Sequence, residues 1–342
     1  MEAIILAGGF GTRLKPLTYT RAKSLLPILN KPMISYIMDK LPDEVKTVIL
    51  AVNYRKDQIE DYLRVHDFNK EIIVNDEPEP LGTGGATKYA EKHITGCFFV
   101  LNADIISSIN LSDMIKYHKR KKSVLTISLW PVKNVSEFGV VDITKDGRIT
   151  HFVEKPKPEE SPSNLINAGV YLLEPEILNY IPEGRLVSME KEIFPRVIND
   201  TGRFYGYRFK GYWIDVGRIQ SYHDAHKILM NKRKVSVVKG EKCIIKGRIK
   251  KSCIGDHVIV EKNTEVTDSI VFRNASIGKN VKIKKCIIGE NSIIEDNANL
   301  RNVIVGDNEH VKRDTILEDA VYWTQAIPAC YPDRQIGNVI GE

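Results

Sequence analysis

The chain is poor in cysteine and in long apolar runs, and each shortage removes a class of protein. Its five cysteines (Cys97, Cys243, Cys253, Cys286 and Cys330) are odd in number and far apart, with no CxxC pair. Neither a disulfide framework nor a zinc site is expected from that spacing, and a reducing cytoplasm is the implied compartment. No apolar run approaches the ~18–20 residues that cross a bilayer, so no membrane partner is expected. The N-terminal stretch MEAIILAGG has no basic leader and runs directly into glycines, so it reads as a first buried strand rather than a signal peptide. An excess of one charge is also missing: 50 basic residues against 44 acidic ones leave a net +6, mostly interspersed. The two basic runs, KRKK at 119–122 and KRK at 232–234, each follow a helical-looking segment, where cations suit the C-terminal dipole. Neither run has interleaved aromatics, so nucleic acid is not an expected partner.

A 42% hydrophobic and 27% charged composition is that of a globular protein, and 342 residues make two domains the natural reading. The first part alternates apolar runs (EAIILAGG, VKTVILAV, KEIIVND, GCFFVLNAD, KSVLTISLW) with helical patterns (MISYIMDKL, RKDQIEDYLRVH, GGATKYAEKH, LSDMIKYHKRKK). Such alternation predicts a Rossmann-like α/β fold, a mostly parallel sheet covered by helices on both faces. Ligands on sheets of this kind sit at the carboxyl ends of the strands. From about residue 139 to 211 the segments become shorter and richer in β pattern.

After residue 235 the periodicity changes. Aliphatic residues recur every six positions: Ile254, Val260, Val266; Ile277, Ile283; Ile288, Ile294, Leu300; Val305, Val311. Four series open with an aliphatic-glycine pair (Gly255, Gly278, Gly289, Gly306). This is the hexapeptide signature of a parallel β-helix, in which each short strand forms one side of a triangular coil. The expected division is a catalytic domain over 1–235 and a left-handed β-helix with a C-terminal tail over 236–342. Coils stack only on their neighbours and leave open ends, so a homo-oligomer through the β-helix is expected, with the aromatic tail from residue 321 available to cap or dock.

The strongest local signal is LAGGFGTRL at 6–14, directly after the first strand. Gly8, Gly9 and Gly11 let backbone N–H groups approach an anion, and Arg13 and Lys23 supply cations close by. The pattern is neither the dinucleotide fingerprint nor the P-loop. Asp104 closes the apolar run CFFVLNAD and Asp215 follows Trp213-Ile214 before the tight turn at Gly217. Two carboxylates beside phosphate oxygens are a donor set that suits Mg²⁺.

With these residues in view, the chain resembles the sugar nucleotidyltransferase family, the nucleoside-diphosphate-sugar pyrophosphorylases. The likeness starts in LAGGFGTRLKPLT and KSLLPILNKPMI. It continues in order through EPLGTGGA (79–86), VLNADI (100–105), FGVVDI (138–143), FVEKP (152–156), NAGVY (167–171) and GYWIDVG (211–217). It spans essentially the whole chain, since several branches append a left-handed β-helix. The mannose-1-phosphate guanylyltransferase type is nearest, through the LGTGGA, VEKP, INAG, EKEIFP and WIDVG segments. Ser24 and Ala103 depart from the usual residues but leave the charged groups in place.

The resemblance implies Mg²⁺-dependent attack of a sugar 1-phosphate on the α-phosphorus of a nucleoside triphosphate, with pyrophosphate leaving. It assigns Arg13, Lys23, Lys155 and Asp104 to catalysis and Asp104 with Asp215 to the metal. Leu6, Ala7, Gly8, Gly9, Gly11, Thr12, Arg13, Lys23, Glu77 and Gly82 are assigned to the nucleotide. Gly139, Glu154, Lys155 and Asn167 are assigned to the sugar phosphate. Glu77 favours guanine, whose N1–H and N2 amino group are adjacent donors that one carboxylate can accept. Three alternatives stand beside GTP and mannose 1-phosphate. One is uridylyl or thymidylyl transfer to glucose 1-phosphate. Another is a regulatory subunit, which is expected to lack one of the charged residues retained here. The third is a second, acyl-transferring activity using His257 or His310.

Overall fold

The computed structural model describes residues 1–329 and 331. Contacts divide the chain into two compact units: Met1–Gly9 with Ile34–Asp215, and Phe10–Met33 with the chain from Val216 onward.

The first unit is built on a nine-stranded sheet. The strands Glu71–Asp76, Thr47–Val52, Glu2–Leu6 and Phe98–Asn102 lie side by side in that order and pair in parallel. The interior residues of Thr47–Val52, Glu2–Leu6 and Phe98–Asn102 are buried Ile, Leu, Val, Ala and Phe, as strands covered on both faces require, while the apolar residues of the edge strand Glu71–Asp76 are half-buried. The chain steps outward from Glu2–Leu6 to Glu71–Asp76, then returns to the other side of Glu2–Leu6 with Phe98–Asn102. That reversal is a topological switch point, and its crevice opens at the carboxyl ends of Glu2–Leu6 and Phe98–Asn102. The expected Rossmann-like fold is therefore the observed one. Beyond Phe98–Asn102 the pairing becomes antiparallel, through Leu165–Leu173 to Leu125–Pro131 and the hairpin Gly139–Ile143/Ile149–Glu154. The basic run at 119–122 closes the helix Leu111–Lys121, with Lys122 as its left-handed cap.

The second unit contains the β-helix: three parallel sheets, one of six strands and two of five. Its true repeat is 17 residues, not 18. Ile254 stacks on Val271, Val271 on Ile288 and Ile288 on Val305, while Val260, Ile277, Ile294 and Val311 form the second inner column. Two sides of each triangle take six residues and the third takes five, which is why the six-residue series break and restart in the sequence. The corners explain the polar residues between the aliphatic ones. Asn263, Asn280, Asn297 and Asp314 all have φ of 57–63°, a region that Asn and Asp tolerate better than other side chains. Their side chains bond down the coil, Asn263 to Asn280 at 3.2 Å, Asn280 to Asn297 at 3.0 Å and Asn297 to Asp314 at 2.8 Å.

The expected boundary at 235 falls just after the helix Ile219–Lys232. By contacts, that helix and the N-terminal segment Phe10–Met33 both group with the coil. Arg21 shows why. Its guanidinium lies 2.5 Å from Asp307 and 3.0 Å from Glu290, both on coils, and stacks over Phe272 at 4.9 Å. Thr20 donates to the same Asp307 carboxylate, and Asn30 donates to the Ile254 carbonyl at 2.7 Å. Of the expected aromatic tail, Trp323 and Tyr331 dock on Tyr19 with ring centres 5.1 and 4.8 Å away. Cys330 and residues 332–342 lie outside the described residues.

Candidate functional site

In the first unit the switch-point crevice collects six of the residues that sequence reasoning assigned: Leu6, Ala7, Gly8, Gly9, Asp104 and Asp215. Leu6, Ala7, Gly8 and Gly9 leave the first strand there. The Ala7 N–H donates to the Ala51 carbonyl at 2.8 Å, and the Leu6 carbonyl accepts from the Ala103 N–H at 3.1 Å, one residue before Asp104. Asp215 arrives from far along the sequence: the short strand Trp213–Asp215 pairs antiparallel with Ile105–Ser107, and Asp215 is the register partner of Ile105. Asp104 and Asp215 are therefore neighbours across one strand pair. Trp213 holds this pair in place by donating its indole N–H to the Ala168 carbonyl at 3.0 Å. The tight turn before it depends on Ser108, whose hydroxyl accepts from the Tyr212 N–H at 2.8 Å.

The stretch expected to meet the base follows the strand Glu71–Asp76. Glu77 is 7% exposed, and its carboxylate accepts only a long 3.4 Å bond from the Leu81 N–H. Burial pushes its carboxyl up to about 7, against the partial relief of that N–H. Asn75, two residues earlier and so on the same side of the strand, is buried with its amide nitrogen lacking a hydrogen-bond partner among the described residues. A buried acceptor and a buried unused donor thus face one way, an arrangement that asks for a polar ligand edge. Gly82 (φ +72°) begins the next helix, and a Cβ there would lie 2.6 Å from the Val187 carbonyl, so only glycine lets this helix seat.

The residues expected to meet the sugar form a second cluster in the same unit. Gly139 is the register partner of Glu154, and a Cβ on it would meet the Phe152 ring at 2.3 Å and the Glu154 carboxylate at 2.8 Å. The glycine makes room for that carboxylate. Burial and then the neighbouring Glu190 raise the Glu154 carboxyl. Lys155, in the left-handed region at φ 50°, is exposed with its ammonium 3.8 Å from Glu154. Asn167 is fixed at both ends: its oxygen accepts from the Gly169 N–H at 3.1 Å and its nitrogen donates to the Tyr171 hydroxyl at 2.9 Å.

Sequence reasoning missed what lies behind Asn167. The Tyr171 hydroxyl donates to Glu190 at 2.9 Å, and Glu190 also accepts from Thr83 at 2.7 Å and Ser188 at 2.9 Å. Glu190 sits in a single π-turn, Met189–Ile193, a form that often marks functional positions. The signal was present in EKEIFP, which served only as a likeness.

In the second unit, Gly11 and Thr12 open a short turn, Thr12–Leu14, whose Arg13 is exposed. The Gly11 carbonyl accepts from the Thr18 hydroxyl at 3.0 Å, and the Lys23 side chain lies against Gly11, 3.2 Å from where its Cβ would be. The loop and its lysine are therefore held together.

The fold and the residues at its switch point define a class: a doubly wound α/β protein of the nucleotidyl-transferring kind. The chain belongs to the nucleotidyl transferase family, whose profile matches residues 2–232, and a GMPPB C-terminal domain profile matches residues 232–327. A probable mannose-1-phosphate guanylyltransferase 2 of Oryza sativa subsp. japonica is 41% identical over 232 residues, 65% of this chain and 63% of that protein. A mannose-1-phosphate guanyltransferase of Aspergillus oryzae is 40% identical over 230 residues, 65% and 62% of the two chains. The chain thus spans somewhat less than two thirds of these relatives' length. Among solved structures, HddC from Yersinia pseudotuberculosis complexed with GMP-PN is 32% identical with a TM-score of 0.56, over 67% of this chain and 99% of that one. A UDP-glucose pyrophosphorylase complexed with UDP-glucose, at 24% identity and a TM-score of 0.60 over 68% of this chain and 99% of that one, shares the fold.

Proposed function

We propose that the chain transfers a guanylyl group from GTP to a sugar 1-phosphate, with mannose 1-phosphate as acceptor, releasing pyrophosphate. The observation that supports this reading is the pairing of Asp215 with Ile105, which brings the backbone of Asp215 next to the turn that carries Asp104, at the switch point beside the glycine-rich strand end. The relatives' names supply the substrates.

Asp104 and Asp215 fit Mg²⁺, a hard cation that takes one or two carboxylates and completes its shell with phosphate oxygens and water. Bound there, the ion would neutralise charge on the triphosphate. The chain's own part is positioning and charge. Backbone N–H groups of residues 8–12 cradle phosphate oxygens, Arg13 and Lys23 take the departing pyrophosphate, and Lys155 draws in the sugar phosphate. The acceptor is already an anion at neutral pH, so no side chain has to remove a proton. Gly139, Glu154 and Asn167 orient the sugar, with Asn167 locked by Tyr171 and Glu190.

Base choice rests on Glu77 and Asn75. Guanine offers N1–H and N2–H to the carboxylate and its O6 to the Asn75 amide. A pyrimidine would set its O2 against the second carboxylate oxygen. The ionised form of Glu77 is needed, so KM for GTP should fall as pH rises from 6 to 8. Glu77→Gln should lose that pH dependence and narrow the gap between GTP and UTP. A preference for a pyrimidine nucleotide in kcat/KM would overturn the guanine reading. The same residue sets a stability trend. A carboxyl raised from 4.5 to about 7 on folding makes the folded state hold its proton more tightly, so the free protein loses stability as pH climbs through that window. The loss is at most about 3 kcal/mol, and Glu77→Gln should remove most of it in urea titrations at pH 5 and pH 8.

We further propose a homo-oligomer through the β-helix, whose Ile244, Ile293 and Ile316 are 51%, 45% and 76% exposed. Light scattering at micromolar protein should report more than one chain per particle; a monomer with and without GTP refutes it.

A further inference from the structure

At the opposite edge of the sheet from the crevice, three residues that the transfer reaction does not use come together. Cys97 directly precedes the strand Phe98–Asn102, whose far end leads to Asp104. Glu174 directly follows Leu165–Leu173, whose Leu173 is the register partner of Phe98. His118 reaches them from the helix Leu111–Lys121. A five-residue strand separates this corner from the catalytic carboxylates, about 17 Å at the usual rise.

The cysteine sulfur, a histidine ring nitrogen and a carboxylate oxygen lie within 4.8 Å of one another, and His118 is 1% exposed. Its Nε2 is 3.2 Å from Glu174 Oε1, and its Nδ1 is 2.8 Å from the buried Thr126 hydroxyl. We infer that Cys97, His118 and Glu174 form a zinc site separate from the catalytic centre, with water as the fourth ligand. Zinc bonds of about 2.0–2.3 Å in a tetrahedron hold their ligand atoms roughly 3.3–3.8 Å apart; the His118–Glu174 spacing of 3.2 Å already matches, and the sulfur, within 4.8 Å of both, would close in on binding. The mixed S, N and O donor set suits zinc better than Mg²⁺, which takes oxygen. Thr126 supplies the outer contact that metal-bound histidines usually have: with zinc bound, its hydroxyl would accept the Nδ1 proton and leave the Nε2 lone pair for the metal. On binding, the Cys97 thiol gives its proton to water and the sulfur bonds zinc as thiolate. The ion would tie the helix Leu111–Lys121 to the ends of two central strands, so its effect is on stability rather than on the transfer step.

The test uses the whole chain, stripped with EDTA and desalted, and zinc chloride alone as the probe. One equivalent of zinc should survive gel filtration, and saturating zinc should raise Tm by about 4 °C, as expected at a hundredfold excess over Kd. Cobalt in place of zinc should give thiolate-to-cobalt charge-transfer absorption. Cys97→Ser should lose that band and the Tm rise, and Glu174→Gln should weaken both, while Mg²⁺-supported turnover stays at the wild-type rate in each. No retained zinc, a cobalt complex without the thiolate band, or the same zinc response in Cys97→Ser would each overturn the site.

Discussion

Asp104→Asn should lower kcat by about 10²-fold or more while leaving the melting temperature within about 2 °C of wild type. The substitution keeps the shape of a side chain that is half-buried at the end of the strand Phe98–Asn102 and removes only its charge. A metal ligand acts on the reacting phosphate through that charge, so turnover falls while packing is preserved. Asp215→Asn should fall by a similar factor. The double variant should be little worse than either single one, because on the proposed reading both residues serve one ion and their effects do not add. Pyrophosphate release from GTP and mannose 1-phosphate at saturating Mg²⁺ measures this directly. Wild-type turnover by Asp104→Asn would show that the paired carboxylates do something else.

Arg21→Ala should destabilise the protein by about 3–5 kcal/mol and raise KM for GTP, although Arg21 is not placed at the phosphates. The side chain of Asp307 is 4% exposed, and losing the guanidinium leaves its charge buried without a cation. The Asp307 carboxylate also accepts from Thr20 and from the Glu290 N–H, so the disturbance reaches the segment that carries Gly11 and Lys23. Pairing Arg21→Met with Asp307→Asn should recover most of the lost stability, because the amide keeps an oxygen for the Glu290 N–H and brings no charge. Urea unfolding of wild type, Arg21→Met, Asp307→Asn and the double variant closes the cycle; additive single effects would mean that the ion pair does not link segment and coil.

The sheet was legible in the sequence because a parallel sheet covered on both faces leaves unbroken apolar runs, and Glu2–Leu6, Thr47–Val52 and Phe98–Asn102 are such runs. The β-helix was legible because its inner column must be aliphatic on every coil. Its six-residue series break and restart because the third side is short, and that shows only once Val266 and Val271 are seen to occupy successive sides. Asp104 and Asp215 could each be singled out by the apolar run before them, but their adjacency depends on a strand pairing between residues more than a hundred positions apart. Glu190 escaped because its role is to hold Tyr171 and through it Asn167, and a residue that acts through others leaves no pattern of its own. Cys97, His118 and Glu174 were invisible for a plainer reason. Cysteine spacing along the chain was the only cue, and it says nothing about a histidine and a glutamate brought in by other elements.

Membership of Phe10–Met33 in the coil unit has a consequence for synthesis on the ribosome. Thr20 bonds to Asp307 across 287 positions and Thr18 to Tyr331 across 313, so the segment translated among the first has to wait for partners translated among the last. At ~5–20 residues per second that delay is tens of seconds. During it the sheet strands can pair, but Lys23 and the Gly11 turn have no coil to settle on. A nascent chain interrupted anywhere before residue 290 would therefore carry the paired aspartates without a settled phosphate loop. The final seating of the Gly11 turn and Lys23 is thereby tied to translation through the β-helix.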